Sequence, residues 1–197
     1  MSITAPDGFV AAGLACGIKA SGALDLSLVA TDDGRPVSAA GVFTANLAAA
    51  APVSVSRAHL SASGGRAVAV IISSGNANAA TGDRGRADAE KMCALVGEGL
   101  GRDPTEVLIG QTGLIGIPLP MTPIETGIPR LVEGRAAGPD AGQRAATAIM
   151  TTDGMRKEVL VEGRGFTVGG MAKGAAMLAP NMATMLAVLT TDAACDP

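Results

Sequence analysis

Tryptophan and tyrosine are absent from this sequence, and aromatic residues make up only 2% of it. Its core must therefore be built from Ala, Val, Leu, Ile and Met. There is one histidine, His59. Any Ser/His/Asp triad would have to use it, but it lies in "RAHLSA", and the chain contains no G-x-S-x-G elbow. His59 is read as structural or exposed. The three cysteines, Cys16, Cys93 and Cys195, are far apart, with no CxxC pair or Cys/His cluster, which argues against zinc and for reduced thiols. Runs of Lys or Arg are missing and the formal net charge is -3, so a groove tracking nucleic-acid phosphates is not expected. "MSITAPDGFV" has neither the charged nor the apolar segment of a signal peptide. Gly, Pro or Thr breaks each apolar run well short of a membrane span. The expectation is a soluble, cytoplasmic protein with no metal and no bound cofactor.

What is present is apolar content: 48% over 197 residues, enough to offset chain entropy and bury a core. "RAVAVIISS" (66–74) is a β-branched run of the kind covered on both faces. "VSAAGVFTA" (37–45) and "PVSVS" (52–56) read as shorter strands, and 107–113 as strand into loop. Residues 84–98 and 141–150 have helical spacing, the latter with Asp140 as a candidate N-cap. A helix interrupted by Gly and Pro is expected over 121–132, and "KEVLVEG" with "GFTVGGMAK" reads as a hairpin. The class is α/β. "GEGLGR" (97–102) follows a helix rather than a strand, and "MAKGAAM" lacks P-loop spacing, so ordinary nucleotide chemistry is not supported.

Near the end, "APNMATMLAVLTT" (179–191) has Thr184 opening an apolar run from Met185 to Leu189. A buried threonine in a strand is usually a β-former with its hydroxyl satisfied. Threonine can also act as a nucleophile without histidine when it begins a chain, because its own α-amine, of unperturbed pKa about 8, serves as the base.

The stretch "GGMAKGAAMLAPNMATMLAVLTTDA" (169–193) closely resembles the cleavage and nucleophile region of bacterial ornithine acetyltransferases of the glutamate N-acetyltransferase family. "GFVAAGLACGIKASGALDLSLV" (8–29), "AAGVFTAN" (39–46), "SGNANAATG" (74–82), "QTGLIGIPLPM" (111–121) and "AIMTTDGMRKEV" (148–159) resemble further family motifs, in order. The resemblance implies a layered α/β sandwich, superficially like that of N-terminal-nucleophile hydrolases. It also implies self-cleavage between Ala183 and Thr184, giving an α portion (1–183) and the start of a β chain (184–197). Thr184 would carry acetyl from N-acetylornithine to glutamate by a ping-pong mechanism through an acetyl-Thr184 intermediate, and some members also accept acetyl-CoA as co-substrate.

By the same resemblance Thr112 and Gly113 form the oxyanion hole, and Thr151 and Lys173 bind substrate together with Thr184. The chain departs from the family pattern at Gln111, where Ser is usual, and at Ala175-Ala176, where S-G or G-G is usual. Family precursors continue for about as long again beyond the point where this chain ends. A β chain from the same precursor is therefore an expected partner, with αβ units assembling further. The asparagines of "SGNANA" are read as holding a rigid loop, and Lys19 is left between solvent and a partner chain. Two alternatives stay open: a paralogue using the same threonine on another acyl donor, and a non-catalytic assembly or binding subunit.

Overall fold

The computed structural model describes residues 2–174 and 185–197. In chain order the elements are β1 (Phe9–Leu14), β2 (Leu26–Thr31), β3 (Val37–Ser38), α1 (Ala51–Ala62), β4 (Arg66–Ala67), β5 (Ala69–Asn76), α2 (Gly82–Leu100), β6 (Val107–Leu114), α3 (Met121–Glu133), α4 (Pro139–Ala148), β7 (Lys157–Glu162), β8 (Thr167–Lys173) and β9 (Leu186–Thr191). Four strands form the main sheet in the order β1-β2-β5-β6. β2 runs antiparallel to both β1 and β5, whereas β5 and β6 are parallel and joined through α2. A second, antiparallel sheet has the order β7-β8-β9.

Side-chain alternation along the main sheet sorts its apolar residues into two cores. Leu28, Ile71 and Ile109 pack with Met92, Val96, Ile124 and Ile128 of the helices on one face. Val29 and Ile72 pack with Ala146, Ile149 and Met171 on the other, where α4 and the second sheet lie. The result is the expected layered α/β sandwich. Each fully buried Leu or Ile contributes about 1.5–3 kcal/mol relative to exposure. The buried stripe of α3 (Ile124, Gly127, Ile128, Leu131, Val132) has the i, i+3, i+4, i+7, i+8 spacing of one helix face. That stripe holds α3 continuous through Pro129, where an interruption was expected.

The "PVSVS" stretch is helical, not a strand. Pro52 occupies the first turn of α1, where its missing N–H costs nothing, and Val55 and Ser56 turn inward. Tertiary contact at the edge of β6 outweighs the β-propensity of the two valines. The Ser56 hydroxyl donates to Ile109 O (2.7 Å) and accepts from Ile109 N–H (2.8 Å). One helix turn on, His59 Nδ1 donates to Val107 O at 2.8 Å, which makes the lone histidine structural. The β1 edge is covered in a similar way: Ala11 and Ala136 exchange backbone bonds (2.9 and 3.0 Å), and Arg144 Nη2 donates to Gly13 O.

Other expectations are corrected. In 37–45 only Val37–Ser38 is strand. Gly138, not Asp140, is the N-cap of α4. Pro139 follows it, and Asp140 lies in the first turn without making a cap bond. The run expected as a buried strand is β9, but only its inner face is covered: Leu189 is 67% exposed. In register across the second sheet, Val159 and Leu189 flank Gly170 on the same outward face. Among the described residues no helix is long and apolar enough to cross a membrane.

Candidate active site

β6 carries Thr112 and Gly113 on its last turn of pleat, and alternation sends neighbouring side chains to opposite faces. Thr112 faces the second sheet and is buried. Gly113 has φ +136°, and a Cβ there would lie 2.2 Å from the Gly75 carbonyl carbon, so only glycine fits. Gly75, paired with Gly113, has φ +112°; its own Cβ would press on Ile18 and Lys19 at 3.0 and 3.1 Å. Gly113 thus lies directly against the Gly75 backbone, and Gly75 in turn lies against the Ile18 and Lys19 side chains of the N-terminal loop.

From the opposite layer, Lys173 at the end of β8 points inward and is 2% exposed. Its ammonium donates to Thr112 Oγ1 at 2.9 Å. An ammonium has no acceptor lone pair, so the threonine oxygen must accept and its own proton is left to be donated elsewhere. Burial lowers the Lys173 pKa below its ordinary value, opposed by the charge of Asp153 and reinforced by that of Lys157.

Asp153, not singled out from the sequence, ties this corner together. Its carboxylate accepts from Lys157 Nζ, from Gly174 N–H (3.1 Å) and from Thr151 N–H (3.4 Å). Burial pushes the Asp153 pKa up, but those bonds and the Lys157 charge outweigh it and hold it below the ordinary carboxylate value. One carboxylate thereby joins the Thr151 turn to Gly174, the residue that follows Lys173 at the end of β8. Among the described residues the Thr151 hydroxyl has no hydrogen-bond partner. The sequence offered no local signal for Asp153: an Asx turn accepts the N–H two residues further on, whereas this carboxylate takes the N–H of Thr151, two residues before it.

Gln111 points the other way, toward α2. Its Nε2 donates to Ser73 Oγ (3.1 Å) and reaches Met92 Sδ, while its Oε1 accepts from Asn78 Nδ2 (2.8 Å). Asn78 Nδ2 also donates to Gly85 O, and Asn76 Nδ2 donates to the carbonyls of Ile117 and Pro118. The "SGNANA" asparagines therefore hold a loop. The departure from serine at position 111 lies on the face of β6 away from Lys173.

The N-terminal loop wraps a buried carboxylate. Asp25 accepts the backbone N–H groups of Cys16, Gly17, Ile18 and Lys19 at 2.7 to 3.1 Å. Lys19 turns inward instead of to solvent, donating to Leu24 O and Met150 O, each at 2.7 Å.

Ala183, Thr184 and the Ala175-Ala176 departure lie outside the described residues. Leu186, two positions after Thr184 in sequence, pairs with Lys173 and packs over Gly110 of β6. An oriented hydroxyl beside a positive-φ glycine, backed by a buried ammonium, suits the stabilisation of a developing oxyanion, which is the requirement of acyl transfer.

Residues 10–197 match the ArgJ family model, and the chain belongs to the ArgJ family. It is 49% identical over 196 residues to the arginine biosynthesis bifunctional protein ArgJ of Streptomyces avermitilis, covering 100% of this chain and 50% of that protein. It is 51% identical over 201 residues to the protein of that name from Mycobacterium tuberculosis, covering 99% and 49%. The chain thus spans about half the length of the curated relatives it matches. Among solved structures it resembles the Mycobacterium tuberculosis ornithine acetyltransferase complexed with ornithine, with TM-score 0.86 and 47% identity over 91% of this chain and 95% of that one. The Bacillus halodurans ArgJ structure gives TM-score 0.81 and 36% identity over 94% and 95%.

Proposed function

We propose that this chain is the part of an arginine-biosynthetic acetyltransferase that carries the oxyanion site, the cleavage site and the nucleophile. Thr184 Oγ attacks the acetyl carbonyl carbon of N-acetylornithine, and its proton passes to the Thr184 α-amine. The tetrahedral oxyanion forms against the Thr112 hydroxyl and Gly113. Collapse returns the proton to the departing amine of ornithine and leaves acetyl on Thr184. The glutamate amine then attacks that ester, releasing N-acetylglutamate and restoring the threonine. Acetyl-CoA enters, where it is used, as an alternative donor to Thr184, and no resident cofactor is required.

The free α-amine arises by hydrolysis of the Ala183–Thr184 bond, dividing the chain into 1–183 and the start of the β chain. Thr151 and Lys173, with Thr184, bind the substrate. The β chain supplies the remaining walls, and the αβ units assemble further. The observation that carries this reading is the bond from buried Lys173 to Thr112 beside Gly113, in a chain of the ArgJ family.

Acetyl trapping tests it. The complete enzyme, given acetyl-labelled N-acetylornithine without glutamate, should carry one acetyl on the chain beginning at Thr184, and Thr184→Ala should carry none. Label on Cys16, Cys93 or Lys173, or an active enzyme with no chain starting at Thr184, overturns the assignment.

A further inference from the structure

We infer that Lys19 is a positioning residue that locks the two halves of the site together. This rests on the acetyl-transfer reading. Two independent contacts meet at this one side chain. Its backbone belongs to the loop held by four N–H bonds to Asp25, and that loop lies against Gly75, which lies against Gly113. Its ammonium reaches across to Met150 O, the carbonyl just before Thr151.

The Met150 carbonyl follows the end of α4, where carbonyls lack helical partners and a cation is favoured. Ser74 Oγ, one residue before Gly75, holds the Ala148 carbonyl of the same helix end. The end of the main sheet therefore grips the α4 terminus twice. Ser74 fixes the helix, and Lys19 fixes the turn that delivers Thr151 and Asp153. Through Asp153 the restraint reaches Gly174 and hence the strand end bearing Lys173. Lys19 touches neither Thr112 nor Lys173 by hydrogen bond. It acts through the backbone, setting the distance between the Gly113 side and the Thr151 side. Misplacement of reacting groups by about 1 Å from a remote change costs on the order of 10²-fold in rate.

A residue serving only as a helix-end cap would give stability and nothing more, and the test separates the two roles. In the complete enzyme, Lys19→Met removes both carbonyl bonds, and Lys19→Arg can restore them. Deuterium exchange is read at residues 148–154, with α2 as internal control for an intact fold. Lys19→Met should speed exchange in that segment roughly tenfold or more, as for loss of a charge-assisted bond. It should lower kcat/KM by about 10²-fold, and Lys19→Arg should recover most of both. Unchanged exchange overturns the brace. Faster exchange with unchanged kcat/KM overturns the positioning role and leaves a cap. A wild-type enzyme without acetyl transfer defeats the acetyl-transfer reading instead, while the exchange measurement still decides whether Lys19 holds the turn.

Discussion

Lys173 and Thr112 come from different sheets and meet at 2.9 Å, ammonium to hydroxyl. The bond fixes which way the hydroxyl proton can point. If that proton is the oxyanion donor, Thr112→Val in the complete enzyme should lower kcat by about 10²–10³-fold with little change in KM. Thr112→Ser, which keeps the hydroxyl, should retain most of the activity. Steady-state kinetics with N-acetylornithine and glutamate check both.

The same bond sets an alkaline limit. Lys173 donates only when protonated, and burial holds its pKa below the ordinary 10.5. Activity should therefore fall with rising pH before free lysine would titrate, and Lys173→Arg should move that limb upward. Stability has the opposite sign: between the lowered folded value and 10.5 the unfolded chain holds the extra proton, so this group's contribution rises with pH. Lys173→Met should accordingly lose activity while keeping or raising the melting temperature, measured by calorimetry at pH 7.

Gln111→Ser restores the residue usual in relatives at that position, yet should not help catalysis. It strips partners from buried Asn78 and Ser73, at about 1–3 kcal/mol for unsatisfied polar groups. Urea unfolding should show the loss, with kcat unchanged because the side chain faces α2.

Ser56→Ala should destabilise by a similar ~1–3 kcal/mol, since both the N–H and the carbonyl of Ile109 lose their partner at the sheet edge. Chemical denaturation checks the size. Activity measured well below the melting temperature should be little affected.

The central strand was legible because 66–74 is a continuous apolar, β-branched run of the kind buried on both faces, and the 157–173 hairpin also appears as expected. Thr112, Gly113 and Lys173 could be picked out only through resemblance to family motifs, since each is an ordinary residue type in isolation. Asp153 was missed because its role depends on three partners, two of them on other elements. "PVSVS" misled because its local preference is for strand. Nothing in those five letters reveals that Ser56 will satisfy both backbone groups of a residue more than fifty positions away. Lys19 was ambiguous for the same reason: its partner at Met150 lies 131 positions on.

The capped edges of the main sheet have a consequence for assembly. Ser56 and His59 occupy backbone groups on one side, and Ala136 and Arg144 do so on the other. A neighbouring strand seeking to zip onto this sheet would first have to strip away those contacts. The molecule has, in effect, two sealed margins, and these guard it against the edge-to-edge stacking that turns soluble sheets into fibrils.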